Sequence, residues 1–459
     1  LTSNRLPHYE GLRVRCNADG APIDGKMMPG LFDRWRRVPN ASPEPPPPPG
    51  SSRPLVIRRA EAPLQPANSG GQGFARQIPV AGADESLAQP TLARSPFTPS
   101  RPVQAGDALV GRGAQLDRAI AAIELERTHV AIFGERGHGK TSLANVIAGH
   151  AETAGFGVVR HACSAGARFP DLIGAVIDKI PPRFLRRPAE DPAPPAGPAP
   201  EWSVAEATDV LERIRSGHVL VFIDEFDRLA APNARRDMAE LLKNVSDMAL
   251  NISFVLVGVA EALDELLALH HSIHRNLVAI PMPLLTDADV RVVLRLGCKR
   301  LGLRLDAEAE ALMVSLAHQS PYAAQQLGLH ATAIAGRHGR DSVTRADAAE
   351  AARLILEETR PMFAPLLDPL PLARRSPDGI LWADLLHKAA EAPCDGFGWF
   401  AAEHVGLPGC AADLGTLTRP EAGPVLRGRQ AHGRVEFAFA RPNLRNHLLL
   451  WGASRAGAL

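Results

Sequence analysis

The residue types that handle phosphate are concentrated in one short stretch. Gly134-Glu135-Arg136-Gly137-His138-Gly139-Lys140-Thr141 has the spacing G-x-x-x-x-G-K-[ST], directly after the apolar run VAIF and directly before the helix-like SLANVIAG. A strand before and a helix after are the context that a phosphate cradle requires. Gly134, Gly137 and Gly139 let successive backbone N–H groups turn inward around a β-phosphate, and the helix adds the positive end of its dipole. Lys140 can reach β- and γ-oxygens, and the Thr141 hydroxyl is a ligand for Mg²⁺. These residues predict binding of ATP with Mg²⁺. His138 fills a variable position of the pattern and is expected to face solvent.

A second group of residues ends another apolar run, Val219-Leu220-Val221-Phe222-Ile223-Asp224-Glu225. A strand that delivers two acids at its carboxyl end supplies what phosphoryl transfer to water lacks in the first motif. Asp224 is expected to complete the Mg²⁺ shell, and Glu225 to polarise the attacking water.

The surrounding elements follow from periodicity. Strand-like segments recur at 129–133, 157–161, 219–223, 252–257 and 277–280, separated by helix-sized stretches, which is the alternation of a parallel α/β sheet. Four amphipathic helices follow near 286–302, 307–318, 320–336 and 344–358, with no further strands expected among them. A third pattern begins at about 361: a helix at 377–391, short helices near 397–405 and 410–418, strands at 424–428 and 434–440, and a helix at 441–451. Helices ahead of a hairpin are the order of a winged helix. Residues 1–105 carry the PEPPPPP run and no sustained period, so they are expected to be a disordered tail. Inside that tail, MMPGLFDRWRRV at 27–38 is the one bulky patch, read either as a stray cluster or as a short docking motif. RRPAEDPAPPAGPAP at 186–200 reads as a flexible insertion. The predicted domains are therefore a tail at 1–105, a nucleotide-binding core at 106–284, a helical lid at 285–360 and a winged helix at 361–459.

Composition narrows the function classes. The chain has 459 residues, with 51 Lys and Arg against 50 Asp and Glu, so it is no whole-chain polyanion binder, and any nucleic-acid surface must be local. The lysines are Lys26, Lys140, Lys179, Lys243, Lys299 and Lys388, and the remaining basic residues are Arg, a skew that points to a GC-rich bacterial genome. Cys16, Cys163, Cys298, Cys394 and Cys410 are odd in number and lack zinc-ligand spacing. No apolar stretch reaches the roughly 20 residues of a membrane span, so a cytoplasmic protein with no membrane partner is expected. The first residue is Leu; a start at Met27 or Met28 and an alternative start codon both account for it.

LVGRGAQLDRAI, IFGERGHGKTSL and VFIDEFDRL together resemble the AAA+ ATPases. DEFDRL in particular is similar to replication initiators and helicase loaders of the origin-recognition type and to STAND switch ATPases. The resemblance covers roughly residues 107–455 and implies an ATP hydrolase with a helical lid and a winged helix. It also implies an arginine finger that acts on a neighbouring subunit, and Arg275 in HHSIHRNLVAI matches that position, so a homo-oligomer or a partner protein is implied. Two departures bear on rate. The fourth strand ends in Gly258, Val259 and Ala260, where the family places a polar side chain, and the lid helix beginning Ser320-Pro321-Tyr322 carries no Arg in its first two turns. Binding is expected to survive and hydrolysis to be slow. Arg427, Arg429 and Arg434 concentrate positive charge on the hairpin, which suits double-stranded DNA. DNA is the expected target; the alternative is a signalling switch whose winged helix latches onto its own ATPase core.

Overall fold

Five strands pair into one parallel sheet, in the order β2-β3-β4-β1-β5. The computed structural model describes residues 95–459 except 104–108, 186–200, 230, 261–272, 274, 371, 373–374, 376–378, 420–423 and 432. The patch at 27–38, the insertion at 186–200 and most of the tail therefore lie outside the described residues. The strands are β1 (His129–Phe133), β2 (Gly157–Ala162), β3 (Val219–Asp224), β4 (Ile252–Gly258) and β5 (Leu277–Pro281). Every residue of β1 and β4 is buried, as are the first five of β3, because helices cover both faces of the central strands. The outer strands β2 and β5 are only partly buried.

The connecting helices are α1 (Gly113–Glu124), α2 (Lys140–Thr153), α3 (Phe169–Ile177), α4 (Val204–Glu212) and α5 (Pro232–Asp247). The chain runs outward from β1 to β2, returns through β3 and β4, and then crosses β1 to reach β5. The carboxyl ends of β1 and β3 thus open on the same edge, where such sheets bind ligands.

The second unit is built from α6 (Asp287–Arg300), α7 (Ala307–Ala317), α8 (Pro321–Arg337) and α9 (Arg345–Leu367). Their starts are set by side-chain caps: Thr286 with Asp289 and Thr344 with Asp347 form reciprocal capping boxes, and the Ser320 hydroxyl accepts from the Ala323 N–H. Two corrections to the sequence reading arise here. The unit is not all helical, because Arg304–Leu305 (β6) and Ser342–Val343 (β7) form a two-residue parallel pair. Residues 95–103, assigned to the tail, are packed: Phe97 is 2% exposed within the core of this unit.

Helix α9 also runs past the expected boundary at 360. It continues through Pro361 and Pro365 and places Phe363 and Leu367 in a third core. That core belongs to α10 (Trp382–Glu391), β8 (Phe400–Ala401), a 3-10 turn at Ala402–Val405, α11 (Ala411–Thr416), β9 (Leu426–Ala431), β10 (Arg434–Phe439) and α12 (Leu444–Arg455). Strand β10 pairs antiparallel with both β8 and β9. Among the described residues no helix is long and apolar enough to cross a membrane.

Candidate nucleotide site

The loop after β1 takes the shape that its glycines allow. Gly134, Gly137 and Gly139 have φ of 151°, 84° and 87°, values that side-chain-bearing residues rarely adopt. Space matters as well at Gly137, where an added Cβ would meet Tyr322 Cβ at 3.2 Å and Asn443 Oδ1 at 3.9 Å. Helix α2 begins at Lys140, so its first N–H groups point into the loop.

The Lys140 ammonium donates to the carbonyls of Gly134 (2.9 Å) and Glu135 (2.8 Å), filling the volume that the loop encloses. Burial pushes its pKa down to about 8, and the Glu135, Asp227 and Asp224 carboxylates oppose that shift. The Thr141 hydroxyl donates to Asp224 Oδ2 at 3.0 Å. A hydroxyl and a carboxylate converging beside a phosphate loop fit Mg²⁺, which takes few protein ligands and completes its shell with phosphate and water. Next to them Glu225 sits in the left-handed region, φ 55°, and its carboxylate pairs with Arg228 at 3.1 Å.

The structure places other expected residues differently. His138 is buried, not solvent-facing: its Nδ1 lies 2.8 Å from the Met282 carbonyl, and burial pushes its pKa down to about 4. The ring is therefore neutral at pH 7, and the carbonyl partner requires Nδ1 to carry the proton. Arg112, from the LVGR segment, is 3% exposed and donates to the carbonyls of His138 (3.1 Å) and Pro283 (2.6 Å). It clamps the phosphate loop to the segment after β5. Burial brings the Arg112 pKa down to about 10. Arg275 is exposed, two positions before β5, whose first residue pairs with the first residue of β1. It thus stands at the edge of the sheet opposite Lys140. Among the described residues at the end of β4, Gly258, Val259 and Ala260, there is no polar side chain; the Val259 N–H donates to Asp227 Oδ1 at 2.9 Å.

A contact between the C-terminal unit and the ATPase core was only the alternative in the sequence reading, which did not name the residues that make it. Arg427 on β9 donates to Glu135 Oε1 at 2.7 Å, across 292 positions of sequence. Phe397 stacks on Phe133, the last residue of β1, with ring centroids 6.4 Å apart and planes 5° apart. The Leu284 N–H donates to the Gly396 carbonyl at 2.8 Å, and a Cβ on Gly396 would lie 2.6 Å from Pro283 Cβ. The other hairpin arginines are also paired: Arg429 with Asp395 (3.2 Å) and Glu436 (2.7 Å), Arg434 with Glu403 (2.6 Å) and Glu436 (3.5 Å). Arg427 and Arg429 both lie over the Trp399 ring, at 5.5 and 4.2 Å. The glycine at 396 was the available signal, since an isolated glycine can mark a close backbone approach.

A family model for the AAA ATPase domain matches residues 108–256. Among solved structures, the chain is similar to a Walker-type ATPase of Pyrococcus abyssi, at 17% identity over 76% of this chain and 98% of that one, with a TM-score of 0.48. It is also similar to the Aeropyrum pernix Orc1 protein solved in complex with DNA, at 19% identity over 76% of this chain and 94% of that one, with a TM-score of 0.41. A third likeness is to the Thermotoga maritima RuvB Holliday junction branch migration motor, at 14% identity over 57% of this chain and 79% of that one, with a TM-score of 0.37. No curated protein matches.

Proposed function

We propose that this chain, whose residues 108–256 are an AAA ATPase domain, is an ATP-driven switch with slow hydrolysis whose C-terminal winged helix latches the phosphate loop. The observation that carries this reading is the Arg427–Glu135 pair, which ties the hairpin to the loop that grips phosphate. Stacking of Phe397 on Phe133 supports it from the strand side.

In the proposed chemistry Lys140 and the loop N–H groups bind the β- and γ-phosphates. Thr141 and Asp224 hold Mg²⁺, which when bound neutralises charge on the phosphate oxygens. Glu225 orients and deprotonates the attacking water once its carboxylate leaves Arg228. Slow turnover follows from the end of β4 and the start of α8, which offer neither a polar water-positioning side chain nor an Arg for the transferring phosphoryl group. From the far edge of the sheet, Arg275 serves only a neighbouring subunit's nucleotide. That role requires a homo-oligomer, and turnover per protomer that is independent of protein concentration would remove it.

The DNA reading loses support because Arg427, Arg429 and Arg434 are all engaged by carboxylates of the chain itself. Nucleotide exchange and duplex-DNA anisotropy on one set of proteins test the choice. Arg427 and Glu135 are partly exposed, so their pair is worth up to about 1 kcal/mol, or about fivefold in a rate. Arg427→Ala is expected to speed exchange by that factor. Exchange at the wild-type rate, with salt-dependent DNA affinity lost on replacing all three arginines by Ala, would put DNA in place of the latch.

A further inference from the structure

The chain ahead of the ATPase domain forms a strap across the nucleotide cavity, fastened at both ends. At one end the Phe97 ring enters a gap between two lid helices. A Cβ on Gly297 of α6 would lie 2.0 Å from that ring, and one on Gly328 of α8 would lie 2.3 Å from it, so glycine at both positions is what admits Phe97. The Thr98 N–H donates to Gln325 Oε1 of α8 at 2.9 Å. At the other end the Val103 N–H donates to the hydroxyl of Ser142 at 3.1 Å, and Ser142 directly follows Thr141. Between the anchors the Arg101 N–H closes a turn onto the Thr98 carbonyl (3.1 Å), with Pro99 and Pro102 limiting the backbone.

The strap lines a cavity of about 250 Å³ together with Lys140, Thr141 and Tyr322. Among the described residues the wall of that cavity contains Arg101, Arg112, His138 and Lys140, and no carboxylate. Arg112 is held by two backbone carbonyls, and Lys140 by the loop carbonyls. Arg101 is exposed and makes no ion pair among the described residues. A cation that makes no ion pair among the described residues, at a cavity wall that also carries Arg112 and Lys140, suits an anionic ligand. The start of α8, which also lines the cavity, contributes Pro321, Tyr322 and Gln325 and no cation.

We propose that Arg101 is a phosphate-binding residue of the nucleotide site, supplying from the strap the positive charge that the lid helix lacks. This rests on the reading of the Lys140 loop as an ATP site. Arg101 contacts the phosphate chain, with Phe97 and Ser142 fixing the strap at a set height above it.

The test is displacement of a fluorescent ATP analogue by ATP and by inorganic tripolyphosphate, on the wild-type protein, Arg101→Ala, Arg101→Lys and Lys140→Ala. The expected result is that Arg101→Ala weakens ATP and tripolyphosphate alike by about tenfold, the effect of one charge-assisted hydrogen bond. Arg101→Lys recovers part of the loss, and melting temperature is unchanged. Wild-type affinity in Arg101→Ala overturns the proposal, as does weakened ATP with unaltered tripolyphosphate, which would place Arg101 on the base or sugar. If Lys140→Ala binds as the wild type does, the ATP reading itself fails and the role of Arg101 falls with it. That result is distinct from an Arg101 failure, in which Lys140→Ala still loses binding.

Discussion

In the proposed nucleotide site Lys140 carries the grip on phosphate, and its burial makes that grip depend on pH. Only the ammonium form pairs with phosphate, and in the free protein it begins to lose its proton near pH 8. Bound phosphate raises that pKa, so ATP affinity is level below pH 8 and falls above it, by up to tenfold per pH unit until the bound form also deprotonates. Calorimetric titration between pH 7 and 9.5 checks this, and constant affinity across the range contradicts it. Lys140 and Glu225 should separate binding from hydrolysis. Lys140→Ala is expected to abolish ATP binding, while Glu225→Gln binds like the wild type and hydrolyses at least tenfold more slowly, within the range of general-base catalysis. Equal binding by both variants, measured alongside phosphate release, would remove these roles. The glycines, Lys140 and Thr141 were legible in the sequence because the loop is contiguous: its chemistry needs only neighbours along the chain. The surroundings of His138 were not, because its burial depends on Met282, more than a hundred positions away, and on Arg112.

Among the elements, the central sheet strands were readable because burial on both faces leaves uninterrupted apolar runs such as VLVFI and FVLV. The first three lid helices were readable because each begins at a Ser or Thr cap or repeats apolar residues at helical spacing. Helix α9 was placed too short, since proline normally ends a helix and here two of them are carried within it. The strap was missed for another reason: SPFTPSRPV has no period, and its one buried anchor is held by glycines on helices far along the chain. Its contribution can be measured. Truncating a buried Phe costs about 3–5 kcal/mol, so Phe97→Ala should lower the melting temperature by several degrees. Removing residues 1–104 should likewise destabilise the protein relative to removing 1–94. Equal melting temperatures for the two truncations would show that Phe97 adds nothing to the lid.

The described residues form three cores, and two of them, the lid core and the C-terminal core, are joined by shared helices. Helix α9 gives Ile355 to the lid core and Phe363 to the C-terminal core, and α12 gives Leu450 to the first and Leu448 to the second. His447 of α12 also pairs with the Thr359 hydroxyl at 2.8 Å, and the Asn446 amide donates to the Ala317 carbonyl at 3.0 Å. The lid and the C-terminal unit cannot part without exposing both cores. Acid should loosen the same assembly. His129, His138, His218, His318 and His447 are each pushed down to about 4 by burial. The unfolded chain takes these protons near pH 6.5 and the folded one only near pH 4, so stability falls as pH drops from about 6.5, by up to about 1.4 kcal/mol per pH unit for each ring. Denaturant unfolding at pH 7, 6 and 5 checks this, and a flat profile contradicts it. The latch itself is tested most directly by a charge-reversal cycle read as nucleotide release. Arg427→Glu and Glu135→Arg should each accelerate release several-fold, and the double variant should return it towards the wild-type rate. Additive acceleration in the double variant, or no acceleration in either single one, would contradict the proposed latch between the C-terminal hairpin and the Lys140 loop.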